Sequence, residues 1–172
     1  FLSYYTVHTP IQPHNDYLPK FLEKRKTRID TLAIKQKEGG GYTVQNQYNA
    51  QYASMVYALD QNVGRVIDQL EAQNLLDNTL IIFTSDNGGL TTLEKEHRTA
   101  PTSVLPLRAG KGWVYEGGIR VPLIIKPPNN SSAKRIDVPA VSMDFYPTIL
   151  EYARLPLKPE QHRDGISLKN IV

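Results

Sequence analysis

Residues 80–89 read Leu-Ile-Ile-Phe-Thr-Ser-Asp-Asn-Gly-Gly, an apolar run that stops at a carboxylate, a carboxamide and two glycines. A short run of β-branched and aromatic residues predicts a buried strand, and the glycines permit a sharp turn directly after it. Asp86 and Asn87 would then lie at the strand's carboxyl end, where open α/β sheets bind their ligands. Their side-chain oxygens suit calcium or magnesium better than zinc or copper. Asp-Asn-Gly is also ordinary turn chemistry, so this stretch alone leaves both interpretations open.

Two further elements are predicted on the amino-terminal side of this strand. Residues 46–74 favour a helix, because apolar residues recur there at three- and four-residue spacing. Residues 1–7 favour a strand, because they are rich in aromatic and β-branched side chains. A strand, a helix and a strand in succession predict a parallel β-α-β unit, which would bring His8 and Asp86 to the same edge of a sheet. With a third strand predicted over residues 121–125, the fold class is α/β, with a mainly parallel sheet flanked by helices.

Three segments, in their order and spacing, carry a family resemblance. Residues 4–10 read Tyr-Tyr-Thr-Val-His-Thr-Pro, residues 85–88 read Ser-Asp-Asn-Gly, and residues 110–122 read Gly-Lys-Gly-Trp-Val-Tyr-Glu-Gly-Gly-Ile-Arg-Val-Pro. Together they resemble the sulfatase family of the alkaline-phosphatase-like superfamily. The resemblance covers nearly the whole chain. It implies that residues 1–155 are the later part of an alkaline-phosphatase-like catalytic domain, and that residues 156–172 link it to a smaller carboxyl-terminal subdomain.

The resemblance also implies roles for four residues. Asp86 and Asn87 would bind a divalent cation, Ca²⁺ or alternatively Mg²⁺. Lys111 would contact the sulfate group, and its flanking glycines allow the backbone to bring this compact positive charge close to a ligand. His8 would face the ester and protonate the departing alcohol, since histidine exchanges protons near neutral pH. Without the resemblance, His8 would be interpreted as a hydrogen-bonded loop histidine and Lys111 as an exposed turn lysine.

His97 and Arg98 are additional candidate substrate contacts. They belong to a polar segment over residues 90–109, which we expect to form a loop at the sheet's carboxyl edge, where loops select substrates. A basic cluster within residues 20–28 has two interpretations. We favour a solvated helical face over a surface that gathers a polyanionic substrate.

The nucleophile of the family is not found in this sequence. Sulfatases carry a Cys-x-Pro-Ser-Arg motif upstream of the part matched here, and its cysteine, or a serine in its place, is converted to formylglycine. This sequence has neither a cysteine nor such a motif. We therefore expect formylglycine and the remaining cation ligands in an upstream part of the same domain, and no activity from this chain alone.

Composition and charge narrow the class of partner. The net charge is +3 and the isoelectric point is near 9.0, which is compatible with an anionic substrate but too weakly basic to indicate nucleic acid binding. No apolar run is long enough for a transmembrane helix. The expected substrate is a sulfated small molecule or a sulfated glycan, and no cell compartment follows from the sequence.

The predicted function is therefore metal-assisted cleavage of sulfuric esters by the intact protein. Two alternatives stay open. The superfamily also contains phosphodiesterases and phosphonate monoester hydrolases with similar cores, and the chain as given could instead be a noncatalytic, anion-binding fragment.

Overall fold

The computed structural model describes residues 1–28, 33–95, 98–130 and 132–172. They form two compact units, one of residues 1–66 and 85–122 and the other of residues 67–84 and 123–172. The helices are α1 (Leu18–Lys26), α2 (Ala50–Ala72), α3 (Glu116–Ile119) and α4 (Phe145–Tyr152), and the strands are β1 (Lys35–Glu38), β2 (Gly41–Val44), β3 (Ile81–Thr84), β4 (Thr92–Leu93) and β5 (Leu123–Lys126). None of the helices in the described ranges combines the length and the hydropathy that a bilayer-spanning helix requires.

The long helix predicted over residues 46–74 is confirmed as α2. Its first turn is capped by Asn49, whose Oδ1 accepts a hydrogen bond from the backbone N–H of Tyr52 at 3.0 Å. Its last turn is closed by a bond from the N–H of Leu75 to the carbonyl oxygen of Leu70 at 2.8 Å. Asn74 supports that closure with a left-handed φ of 55°.

The first unit contains a three-stranded antiparallel sheet in the order β1-β2-β4. β1 and β2 form a hairpin in which Glu38 pairs with Gly41, and glycines make its turn. Gly39 has a φ of 53° in this turn, which a glycine adopts without strain. Inside the unit, the hydroxyls of Thr43 and Thr92 bond across the sheet at 2.6 Å, and both residues are buried.

The second unit contains the antiparallel pair of β3 and β5, in which Ile81 lies opposite Lys126. These strands confirm the elements predicted around residues 80–84 and 121–125, but β3 is half-buried and not buried as predicted. Lys126 also donates from Nζ to the carbonyl oxygen of Leu76 at 2.8 Å, which ties the strand to the turn that precedes β3.

The strand predicted over residues 1–7 is not formed. Phe1 and Tyr5 are exposed, and the chain turns there with a bond from the N–H of His8 to the carbonyl oxygen of Tyr5. Aromatic residues favour strands only where a neighbouring strand offers a half-buried surface to pack on. The strand that does precede α2 is β2, which pairs with β1 and β4. All strand pairings within the described residues are antiparallel, so the predicted parallel β-α-β unit is wrong for this stretch.

In the second unit, Asp144 holds the carboxyl-terminal segment against α4. Its side chain makes no capping bond to the helix. Its carboxylate accepts from the N–H groups of Val141 at 2.8 Å and Ile166 at 2.9 Å. Thr148 extends the connection by accepting from the N–H of Leu168 at 2.8 Å.

The division of the chain at residue 155 into a domain and a link stays a prediction.

Candidate active site

The loop that follows β3 is held by its own side chains. Asp86 accepts a bond at Oδ1 from the N–H of Asn87 at 3.0 Å, and Asn87 donates from Nδ2 to the carbonyl oxygen of Gly88 at 3.0 Å. These bonds fix which oxygens remain for a ligand. Asp86 Oδ2 and Asn87 Oδ1 accept no hydrogen bond from a described residue, and Asp86 is exposed to solvent. The loop therefore presents two hard oxygen donors from adjacent residues.

Backbone segments pack directly on this loop through glycines. Gly88 donates its N–H to the carbonyl oxygen of Gly118 at 2.9 Å, and a Cβ on Gly88 would overlap the carbonyl oxygen of Gly117. A Cβ on Gly118 would likewise overlap the carbonyl oxygen of Trp113. Because no side chain fits between these segments, α3 and the loop after β3 lie in backbone contact.

Lys111 lies on the same junction. Its N–H donates to the carbonyl oxygen of Gly89 at 2.9 Å, and a Cβ on Gly110 would overlap that same oxygen. Gly112 has a φ of 87°, a backbone conformation that L side chains rarely adopt. The half-buried Lys111 side chain forms no ion pair with a described residue. The close approach of Gly110 and the bond to Gly89 thus anchor the backbone of Lys111 to the loop that carries Asp86.

An open cleft of about 510 Å³ adjoins Lys111. Its walls include Leu93, Glu94, Lys95, Arg98, Lys111 and Trp113. Three of these side chains are cationic and one is a carboxylate, so the described part of the wall carries a net positive charge. Arg98 is joined to the wall by a bond from its N–H to the carbonyl oxygen of Lys95 at 3.1 Å. A binding site next to Lys111 would therefore favour anionic groups.

The β1–β2 hairpin is fastened to the loop that carries Lys111. Arg108 donates from Nη2 and Nε to one carboxylate oxygen of Glu38, at 2.7 and 3.0 Å, and its guanidinium lies 3.9 Å from the ring centroid of Tyr115. The hydrogen bond to Glu38 is the main reason why the pKa of Arg108 is raised above its ordinary value. At the hairpin tip, a Cβ on Gly39 would lie 3.2 Å from Cη2 of Trp113.

His8 lies exposed in the turn near the start of the chain. Its Nδ1 is 2.7 Å from the carbonyl oxygen of Thr9 and therefore carries a proton, because a carbonyl oxygen can only accept. Its ring centroid is 5.0 Å from that of Tyr5. Within the described residues, His8 makes no hydrogen bond or ion pair to Asp86 or Lys111.

The structure thus brings together some of the predicted site residues. Asp86 and Asn87 share a loop, and Lys111 is bonded to that loop through Gly89. Arg98 joins Lys111 in the cleft. His97 lies outside the described residues. The described part of the chain holds no cluster of three or more His, Cys, Asp or Glu side chains that could hold a metal ion.

Sequence reasoning missed Trp113 and the pair of Glu38 and Arg108. Trp113 could have been noticed, since it is the single tryptophan of the chain and follows the Gly-Lys-Gly segment directly. The pair of Glu38 and Arg108 spans seventy positions, and nothing in the local pattern of either residue indicates its partner.

Comparisons with known proteins bear on this arrangement. A family model described as Sulfatase matches residues 3–155. A sulfatase of Formosa agariphila is 34% identical over 100% of this chain and 29% of its own length. The human steryl-sulfatase is 34% identical over 90% of this chain and 26% of its own length. The chain therefore spans little more than a quarter of the length of the curated relatives it matches.

Two solved structures are also similar to this chain. The crystal structure of Ps i-CgsB in complex with k-i-k-neocarrahexaose has a TM-score of 0.70 and 34% identity, over 95% of this chain and 30% of that one. A second crystal structure of Ps i-CgsB has a TM-score of 0.72 and 34% identity, over 96% of this chain and 31% of that one. These neighbours have the alkaline-phosphatase-like fold, so the predicted fold class, a part of such an α/β domain, is confirmed.

Proposed function

The chain belongs to the sulfatase family, and on this premise we propose that the protein containing it hydrolyses sulfuric esters with the help of a divalent cation. The family match over residues 3–155 supports the reaction class. The observation that carries the site is the bond from the N–H of Lys111 to the carbonyl oxygen of Gly89 at 2.9 Å. It keeps a cationic side chain beside the loop of Asp86 and Asn87, where an anionic ester and a cation would meet.

Lys111 is proposed to hold the sulfate group. Cleavage of a sulfate ester moves negative charge onto the nonbridging oxygens and the leaving oxygen, and a fixed positive charge aimed at them lowers the barrier. An ammonium group without an ion-pair partner among the described residues suits that task. Because the backbone of Lys111 is anchored to the loop, only its flexible side chain would have to adjust when the ester binds.

His8 is proposed to protonate the departing alcohol. An alkoxide is a poor leaving group, and a positioned proton donor avoids its formation. The Nδ1 bond to Thr9 orients the ring, so the proton given to the alcohol would come from Nε2 of the doubly protonated imidazolium form and would leave the neutral Nδ1–H ring. The exposure of His8 supports the role, because an ester must be able to reach the ring.

Asp86 and Asn87 are proposed to hold the cation, which would be Ca²⁺ or alternatively Mg²⁺. The donor set fits, since both ions prefer oxygen ligands and both residues present an oxygen with no partner among the described residues. Calcium takes about six to eight oxygens, so further ligands must come from outside this loop. Bound there, the cation would withdraw charge from the ester and orient the nucleophile. The family's formylglycine would supply that nucleophile from outside this chain.

The substrate is proposed to be a sulfated compound, either a small molecule or a glycan. The solved neighbour in complex with k-i-k-neocarrahexaose supports a glycan. His97 and Arg98 remain candidate substrate contacts. For Arg98, support comes from its place in the wall of the cationic cleft beside Lys111.

Substrate comparison with the purified protein that contains this chain tests the proposal. In the presence of calcium, we expect release of nitrophenol from para-nitrophenyl sulfate to exceed release from bis(para-nitrophenyl) phosphate. The reverse order would instead assign a phosphodiesterase of the same superfamily. Binding of para-nitrophenyl sulfate without hydrolysis of either ester would assign a noncatalytic anion-binding protein.

A further inference from the structure

The cleft beside Lys111 offers more than one sulfate group requires. Its volume is about 510 Å³, and pockets of about 300 to 1,000 Å³ take whole drug-sized ligands. Lys111 alone would supply the charge for one sulfate. The additional cations Lys95 and Arg98 would otherwise face solvent across an open cleft. The excess of space and of positive charge indicates a larger ligand with more than one anionic group.

Trp113 adds an aromatic surface to this cationic cleft. Its indole is fixed from two sides. The hairpin tip at Gly39 packs against its six-membered ring, and the ring of Tyr115 lies nearly parallel to it, with an interplanar angle of 18° and centroids 6.1 Å apart. Arg108 in turn packs on Tyr115 and bonds Glu38 of the hairpin. A rigidly held aromatic ring loses little conformational entropy when a ligand stacks on it.

We propose that this cleft binds the sugar ring next to the scissile sulfate, with Trp113 stacking on that ring and Arg98 pairing with a second sulfate group of the same oligosaccharide. The axial C–H groups of a pyranose make one of its faces apolar, and an indole covers such a face while it excludes water. A guanidinium binds a sulfate through two parallel hydrogen bonds, which an ammonium cannot do. Glu94 lies on the same wall, and its carboxylate would accept hydrogen bonds from sugar hydroxyls. It would repel a sulfate group, so the second sulfate is expected at Arg98.

The proposal rests on the proposed function, since it extends the site of Lys111. It specifies the preferred substrate class as a glycan with at least two sulfate groups, so that small aryl and alkyl sulfates would be bound more weakly. A flat aryl ester would also stack on Trp113, but it would leave Arg98 without an anionic partner. The number of sulfates therefore separates the two substrate classes.

The test measures binding by calorimetry and sulfate release by ion chromatography for the protein that contains this chain. The probes are a carrageenan hexasaccharide, a heparin hexasaccharide and para-nitrophenyl sulfate. We expect the wild type to bind one of the hexasaccharides at least about tenfold more tightly than para-nitrophenyl sulfate. Trp113→Ala and Arg98→Ala should each reduce that preference about tenfold. Tyr146→Ala and Arg135→Ala are matched controls, because they remove an exposed aromatic ring and an exposed arginine of the second unit.

Further variants separate binding from folding. Trp113→Phe keeps an aromatic platform, and Arg98→Lys keeps the charge but not the forked geometry. We expect Trp113→Phe to retain most of the preference and Arg98→Lys to lose part of it. Thermal unfolding identifies any variant that loses the preference because it is misfolded. Arg98 is exposed, so the Arg98 variants still test the proposal if the Trp113 variants do not fold.

The outcomes distinguish this proposal from the function on which it rests. If neither hexasaccharide is preferred over para-nitrophenyl sulfate, or if Arg98→Ala and the folded Trp113 variants keep the full preference, the subsite is refuted, even when sulfate is released. If the preference depends on Trp113 and Arg98 but no sulfate is released, the subsite stands and the sulfatase activity fails.

Discussion

The N–H of Lys111 lies 2.9 Å from the carbonyl oxygen of Gly89, three residues beyond Asp86. This bond joins the main chain of the proposed sulfate-binding residue to the loop of the proposed cation ligands. The backbone of Lys111, and with it the base of its side chain, is therefore fixed to this loop. The ammonium group of Lys111 has no counter-ion among the described residues. An anionic ester would therefore not have to displace one in order to bind.

Lys111→Ala should lower kcat/KM for para-nitrophenyl sulfate by about 100- to 1,000-fold, the usual cost of removing one group that stabilises developing charge. The fold should be unaffected, because the bond to Gly89 uses the backbone and not the side chain. Steady-state kinetics and thermal unfolding measure the two effects. Lys134→Ala, which removes an exposed lysine, is the matched control, and a near-normal rate for Lys111→Ala would exclude Lys111 from the mechanism.

His8→Ala should lower turnover by about 100-fold or more for a sulfate ester of an aliphatic alcohol. The loss should be much smaller for para-nitrophenyl sulfate, because nitrophenolate departs without a proton. Comparing the two esters reports the role directly, whereas a structural role would reduce both rates alike. His14→Ala is the control, since His14 contacts Tyr17 and Asp16 away from the proposed chemistry.

Asp86→Ala should raise the calcium concentration needed for half-maximal activity, because it removes a charged oxygen ligand of the proposed cation. A chelator should abolish the activity of the wild type, and added Ca²⁺ should restore it. Titration of activity with Ca²⁺ measures the change, with Asp164→Ala as the control for an exposed aspartate. Unchanged calcium dependence in Asp86→Ala would remove this residue from the cation site.

Gly88→Ala should destabilise the protein by about 2 kcal/mol or more, because the added Cβ would overlap the carbonyl oxygen of Gly117. Gly64→Ala is a matched control in α2, where a Cβ meets nothing within 4 Å. There alanine should stabilise the fold by about 1 kcal/mol through helix propensity. Denaturant unfolding measures both free energies. Equal stabilities of the two variants would contradict the backbone contact.

Tyr52→Phe should make the protein more resistant to alkaline unfolding. Burial raises the pKa of the Tyr52 phenol above its ordinary value, and the hydrogen bond with Thr102 offsets this only in part. The folded state therefore holds this proton more tightly than the unfolded state does. The associated stability is present below about pH 10 and is lost as the pH rises from there through the folded-state pKa. Phenylalanine removes that titration.

The free energy of unfolding, measured from about pH 8 to about pH 11, shows whether Tyr52 contributes to the loss of stability at alkaline pH. The curve of Tyr52→Phe should fall less steeply than that of the wild type at the alkaline end. Tyr5→Phe, which changes an exposed tyrosine, should follow the wild type throughout. A parallel fall in all three proteins would refute the contribution of Tyr52.

Local patterns predicted the elements that local forces determine. The apolar periodicity over residues 46–74 predicted α2, because a helix buries one face whatever it packs against. The apolar run before Asp86 predicted β3 and the turn after it. The glycines of the segment from residue 110 to residue 122 allow the close backbone approach to Gly89, whereas the predicted contact of Lys111 with a ligand stays a prediction.

Features that depend on distant partners were not accessible in the same way. Residues 1–7 have strand propensity but no strand beside them in the described structure, so propensity predicted an element that does not form. The contact of Gly88 with Gly117 joins segments that nothing in the sequence pairs. Trp113 could have been noticed as the single tryptophan, but its contact with the hairpin tip at Gly39, a remote part of the chain, could not have been predicted.

The glycine junction also has a consequence for engineering. A library that diversifies Gly88, Gly110 or Gly118 would consist mostly of unfolded protein, because each position is filled by neighbouring backbone. Arg98 and Lys95 line the cleft next to this rigid joint, and their exposed side chains can be exchanged without disturbing it. Substrate preference could therefore be changed by mutating a few wall positions, without any mutation in the proposed reactive centre.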